Sequence, residues 1–310
     1  MNQKPPVSYP LQFAILIGLL GVFLVISAFL TPIIGSVTMH VPFREVMNAM
    51  SRPENADAAR WLNTFASAIA FFLPPVILAR IVSHRPMAHL GFNTRFDGKQ
   101  VLLVILITFA SMVLSGALSE LNEKIPLPAT WYTMAKKLEE TYKAAMLSMA
   151  TMRSFPEFLV ALLVLAAFPA IFEETLFRGG LQQILTGWSN SKWTAIIVSS
   201  ILFSAIHFSY FGFLPRTALG IVLGLIFYEG KNIWLNILLH FVNNGIIVLQ
   251  LYLAARHGKS IEKTIDESMP AWWGLIAVVL LVIFFRQFSR ASRHQQGEQP
   301  QPVQTENIIS

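Results

Sequence analysis

Eight apolar runs, at about 11–34, 61–82, 101–118, 157–180, 193–209, 214–229, 233–254 and 271–288, limit what this chain can fold into. A run of roughly 17–25 apolar residues crosses the hydrocarbon core of a bilayer as a helix. No water reaches a backbone N–H or C=O at that depth, so each span must satisfy its own hydrogen bonds. The expected fold class is therefore all-α: a polytopic helical membrane protein with about eight transmembrane helices. Charge agrees. Only 13% of the 310 residues are charged and 54% are hydrophobic, against about 25% charged in a soluble domain. The sixth run is the weakest, being short and opening with Pro215 and Arg216.

The first run is too long for a signal-peptide core and lacks a clear small-x-small cleavage site, so it reads as a retained span. An even number of spans places both termini on one side. Lys and Arg are evenly split between the two sides, and the segment 83–100 and the flank carrying Arg286, Arg290 and Arg293, basic with little acid, lean towards termini inside. The net charge of +6 reads as membrane-flanking residues. No basic, aromatic-interleaved stripe suggests nucleic acid. The absence of cysteine removes disulfides, thiolate ligands and a cysteine nucleophile together. Asp57, Asp97 and Asp266 all lie outside the runs, which excludes an intramembrane aspartate dyad.

Residues 1–288 read as a single integral membrane domain, and the stretch after Ser289, rich in Gln, Pro and Ser, as a disordered tail at 289–310. The connection 119–156 places Trp131, Met134, Leu138 and Tyr142 at helical spacing among Lys and Glu residues. That pattern predicts a helix lying in the membrane interface. It suits a surface helix packed on its own protein, or a substrate lid.

Three polar clusters interrupt the apolar runs. They are Glu173 and Glu174 with Arg178, then His207, then His240 with Asn243 and Asn244. An ionisable group at membrane depth is by default a functional-site hypothesis. If the fourth helix continues through the glutamates to about Leu185, Glu173 and His207 lie about 24–27 Å from the turn at 187–191, on antiparallel neighbours. His240 lies about 15 Å in from the turn at 230–232, compatible with convergence. Glu174 and Arg178 are i, i+4 with the acid first, the better orientation for an intrahelical pair. Arg178 thereby neutralises Glu174 and leaves Glu173 free as a base. His240 and Asn244 share a face, as do Phe203 and His207, so the aromatic ring can brace the imidazole. Asn243 fits interhelical glue as well as it fits a site.

A carboxylate and an imidazole held away from bulk water can activate a water molecule. A second His and an Asn can donate hydrogen bonds to a tetrahedral oxyanion. These are the parts for amide hydrolysis without a covalent nucleophile. No Gly-x-Ser-x-Gly elbow and no His-Glu-x-x-His helix is present. A transporter using the carboxylates as a proton relay is a different reading. Pro74-Pro75 offers it one helix break, with no matching break or repeat elsewhere.

The stretches Glu173-Glu-Thr-Leu-Phe-Arg178, Phe203-Ser-Ala-Ile-His207 and His240-Phe-Val-Asn-Asn244 match three signatures, Glu-Glu-x-x-x-Arg, Phe-x-x-x-His and His-x-x-x-Asn/Asp. In order, within consecutive apolar runs over about 157–254, they resemble the type II CaaX prenyl endopeptidase and bacteriocin-processing (CPBP, Abi) family of intramembrane proteases. The resemblance implies that Glu173 and His207 activate water and that His240 and Asn244 stabilise the oxyanion. Glu174, Arg178 and Phe203 then support the site. It implies an endopeptidase acting on a membrane-associated peptide or protein in the bilayer, in a bacterial cytoplasmic membrane. A non-catalytic immunity or scaffold protein of the same fold is the alternative. The family is often labelled metalloprotease, and Glu173, His207 and His240 are the residues that would bind zinc. Metal-free glutamate catalysis fits equally well, and no obligatory cofactor is expected.

Overall fold

The computed structural model describes residues 7–257 and 269–297, which are helical with no strand among them. The chain forms α1 (Tyr9–Met39), α2 (Pro53–Val82), α3 (Gly98–Glu123) and α4 (Ala129–Met149). It continues with α5 (Phe155–Ser189), α6 (Lys192–Ala205), α7 (Phe213–Gly230), α8 (Ile233–Arg256) and α9 (Trp273–Gly297). Helix starts follow local chemistry. The side chains of Ser154, Ser191 and Asn232 accept from backbone N–H groups of the first turns of α5, α6 and α8, and Asp97 forms a capping box with Gln100 at α3.

Among the described residues seven helices, all but α4 and α6, are long and apolar enough to cross a membrane. The protein is a polytopic all-α membrane protein, as the apolar runs predict. The fifth run differs from expectation. α6 has 14 residues, about 21 Å at 1.5 Å per residue, and it ends at Ala205 although the sequence stays apolar. Phe208, with φ 50°, turns the chain away there.

Successive helices alternate in direction. The start of α3 meets the end of α9 where Gln100 Nε2 donates to Ser292 Oγ at 3.0 Å. The start of α8 meets the 83–97 connection where Ile233 N donates to Gly91 O at 2.9 Å and Asn232 Nδ2 to Arg95 O at 3.0 Å. The start of α1 packs on the end of α5 through Phe13 and Trp188, 5.6 Å apart. The beginning of α1 and the end of α9 thus share one end of the bundle, together with both basic segments. α9 runs past the tail boundary expected at Ser289: Ala291 and Ser292 are buried against α3, which keeps 289–297 helical. Residues 298–310 lie outside the described residues.

Prolines inside the spans do not break them. Pro74-Pro75 follows a wide π turn at Ala68–Phe72, and Pro169 follows another at Leu163–Ala167. A proline ring collides with the carbonyl four residues back in a regular α-helix, and the extra residue per turn relieves that clash. α2 therefore stays continuous and supplies no transporter-like break. A third π stretch, Thr175–Gln182, begins one residue after Glu174 and contains Arg178.

Two apolar cores flank the site. α3, α7, α8 and α9 bury Ile107, Leu223, Ile226, Leu239 and Phe288 completely. α1, α2, α5 and α6 bury Leu16, Phe177 and Phe203. α6 and α7 touch closely because α7 presents glycine: a Cβ on Gly220 would fall 2.8 Å from Ser200 Cβ, and one on Gly224 2.9 Å from Ile196 Cγ2. The carbonyls of the same two residues accept Arg178 Nη2 at 3.1 Å and Gln182 Nε2 at 2.9 Å. α5 and α7 are therefore pinned to each other through two consecutive turns.

α4 exposes Trp131, Met134 and Leu138, the apolar face of the expected interfacial helix. Its other side packs on its own protein. Glu139 accepts from Ser209 Oγ at 2.6 Å, Tyr132 meets Phe211 edge-on, and Tyr142 lies under the Arg216 guanidinium. Arg60 of α2, fully buried, donates to the carbonyls of Met149 and Thr151 and fixes the passage from α4 into α5.

Candidate active site

The wide π stretch of α5 and the middle of α8 face each other, and Glu174 lies at their meeting point with no exposure. Its Oε1 accepts from Arg178 Nη1 at 2.8 Å and from His240 Nδ1 at 2.9 Å. Its Oε2 accepts from Asn236 Nδ2 at 3.3 Å. Arg178 is equally buried, donates to Gly220 O, and stacks over the Phe203 ring at 4.8 Å. A buried carboxylate needs a paired cation and several donors to stay where it is; Glu174 has both.

Glu173, the next residue, is placed differently. Its side chain is 15% exposed, and its buried Oε2 has no hydrogen-bond partner. The nearest ionisable atom is His240 Nε2 at 3.8 Å, beyond hydrogen-bond range. One glutamate is fully engaged and the other holds a free acceptor, which is the division expected from the Glu174–Arg178 spacing.

The two histidines present the same tautomer. His240 Nδ1 faces a carboxylate and His207 Nδ1 faces the carbonyl of Phe203 at 2.8 Å. Both partners only accept, so each Nδ1 carries the proton and each Nε2 is left for chemistry. His207 lies in the turn after α6 rather than on the helix expected to carry it. The bracing by Phe203 persists, with the rings edge-on at 5.2 Å. The same Phe203 ring also lies edge-on to His240 at 5.9 Å and to Phe177 at 5.3 Å. His207 is within electrostatic reach of Glu173, His240 and Arg216.

Asn244 follows one turn after His240. Its Oδ1 accepts from Asn243 Nδ2 at 3.1 Å, a contact that does not use the Asn244 amide N–H₂. Asn243 therefore orients Asn244. Glu173, Glu174, Arg178, Phe203, His207 and His240 thus converge, and Asn244 stands on the face of α8 that carries His240. Among the described residues no group of three or more His, Asp or Glu side chains is arranged to hold a metal ion.

Asn236 was not singled out from the sequence, yet it completes the Glu174 shell. It is fully buried, and its Nδ2 also donates to Leu223 O at 2.6 Å. The available signal was the polar stripe Asn236, His240, Asn244, one residue per turn along an apolar run. Asn236→Ala leaves a buried carboxylate oxygen and a carbonyl each short of a donor, an expected cost of about 1–3 kcal/mol. Thermal unfolding in detergent checks this; an unchanged midpoint would show that the Glu174 shell closes without Asn236.

Fold and site together define a class: a polytopic all-α membrane protein with a Glu–Arg–His cluster buried between its helices. Residues 155–246 match the model of the Type II CAAX prenyl endopeptidase Rce1-like family, which bears out the resemblance carried by the three motifs. The chain is 31% identical over 128 residues to "Uncharacterized protein YpbD" of Bacillus subtilis (strain 168). That alignment takes in 38% of this chain and 61% of the relative. No solved structure matches.

Proposed function

We propose that the protein is an intramembrane endopeptidase of the bacterial cytoplasmic membrane that hydrolyses a peptide bond of a membrane-associated peptide or protein, using a glutamate base and no obligatory metal. The observation that carries this reading is the pairing of a satisfied Glu174 with a Glu173 whose buried Oε2 has no donor, beside two histidines whose Nδ1 atoms are each engaged by an acceptor.

The chemistry follows from those atoms. A water bound at Glu173 Oε2 and His207 Nε2 gives its proton to Glu173 as its oxygen attacks the substrate carbonyl carbon. The carbonyl π pair moves onto oxygen. That oxyanion is met by the Asn244 amide N–H₂ and by His240, protonated at Nε2 and charge-balanced by Glu174 through Nδ1. Collapse breaks the C–N bond, and the departing amine takes the proton that Glu173 had accepted. Every proton returns and no covalent enzyme intermediate is formed. Arg178, Asn236 and Phe203 hold this arrangement and touch no reacting atom.

The deciding experiment is cleavage of a quenched-fluorescent peptide library by the purified, detergent-solubilised protein, with and without chelator. Cleavage that survives chelation supports the metal-free reading, and cleavage lost on chelation and restored by zinc overturns it. No cleavage by well-folded protein would move weight to a non-catalytic protein of the same fold. Asn244→Ala is expected to lower kcat by about 10²–10³-fold with little change in KM. Steady-state kinetics on one substrate checks this, and a change confined to KM would remove Asn244 from the oxyanion role.

A further inference from the structure

Arg216 stands beside the site, and none of the three motifs includes it. It lies in the first turn of α7, where a cation faces the positive end of the helix dipole and is disfavoured. Its Nη1 is buried and has no hydrogen-bond partner, and no ion pair engages it among the described residues. The guanidinium folds back onto the loop that carries His207: a Cβ on Gly212 would fall 2.2 Å from Nη1.

Its visible partner is the Tyr142 ring of α4, 5.1 Å away. A ring face attracts a cation and accepts no proper hydrogen bond from it, so the donors of the guanidinium fork stay available. The backbone around it offers an anion nothing. Gly212 N donates to Ser209 Oγ, Phe213 N to Tyr210 O and Leu214 N to Asn122 Oδ1, and Pro215 has no N–H. An anion arriving here is therefore held by the guanidinium rather than by the helix terminus. A half-buried arginine whose Nη1 is buried without a partner, beside His207, is costly unless something binds it. Its planar fork matches a carboxylate in bidentate fashion.

We propose that Arg216 anchors a carboxylate of the substrate, in a subsite between the His207 loop and α4. This rests on the peptidase reading for the word substrate, while the subsite itself rests on the geometry. The ligand class is an apolar peptide bearing a carboxylate, either its own C-terminus or an acidic side chain close to the scissile bond. Tyr142 shifts off the guanidinium when the carboxylate seats.

The test is binding, which needs no turnover. Three probes are titrated calorimetrically into the detergent-solubilised full chain, each against a matched micelle blank. They are N-decanoyl-leucine, N-decanoyl-leucinamide, and the α-amide of N-decanoyl-glutamate. The free-carboxylate probe is expected to bind about tenfold or more tighter than the leucinamide, the value of one charge-assisted contact. Arg216→Gln erases the difference, and Arg216→Lys, which keeps the charge and loses the fork, retains a smaller one. Tight binding of N-decanoyl-leucine alone assigns the site to a C-terminus; tight binding of the glutamate amide as well admits acidic side chains. Equal affinities for the three probes in the wild type, or a preference that survives Arg216→Gln, overturns the proposal. If Arg216→Gln does not fold, an undiminished preference in Arg216→Lys overturns it equally. Carboxylate-selective binding without peptide cleavage would leave this subsite standing and remove the peptidase reading. Cleavage without carboxylate selectivity would do the reverse.

Discussion

Glu173→Gln is expected to reduce peptide cleavage by about 10³-fold or more while leaving the thermal midpoint of the protein where it was. The two halves of that result have separate causes. Removing a general base costs about 10²–10⁴ in rate, and an amide in place of the carboxylate keeps the shape and loses the basicity. Stability is spared because Glu173 contributes little to the resting structure: its Oε2 bonds to nothing, and His240 Nε2 stands 3.8 Å away. The readouts are initial rates with a peptide identified from the library, and thermal unfolding of wild type and variant in the same detergent. Retained turnover in the purified variant would falsify Glu173 as the base. A large fall in midpoint would instead make Glu173 a structural residue.

The sequence carried most of this arrangement because of two kinds of regularity. Hydropathy alone locates the spans, since a bilayer leaves the backbone no other solution. Helical spacing pairs Glu174 with Arg178 and puts His240 on the face of Asn244. What stayed hidden depends on departures from regular helix. The π turn after Glu174 changes no residue's hydropathy, yet it sets which way Arg178 points. The end of α6 at Ala205 is masked by an apolar sequence that continues through Phe208. The convergence of α5 with α8 is a crossing in space, and depth counting shows only that it is possible. Asn236 is not singled out from the sequence, and Arg216 stands there only as a span-opening charge, because their importance lies in what faces them from other helices.

Glu174→Gln is expected to behave in the opposite way to its neighbour, losing stability as well as activity. Glu174 and Arg178 are both fully buried and 2.8 Å apart, and removing one partner of such a pair strands the other charge at a cost of about 3–5 kcal/mol. Arg178 would be left with Gly220 O and the Phe203 ring, neither of which neutralises it. His240 Nδ1 would lose the carboxylate that fixes its tautomer and balances its charge during turnover, so the oxyanion contact weakens too. The double variant Glu174→Gln with Arg178→Met separates the two effects. Removing the stranded cation restores much of the thermal midpoint, since apolar replacement of a buried ion pair is often neutral or better. Activity stays low, because His240 still lacks its carboxylate. If the double variant regained turnover along with stability, the Glu174–His240 contact would be scaffolding rather than chemistry. If Glu174→Gln alone were stable and fully active, the separation of roles between the two adjacent glutamates would be wrong.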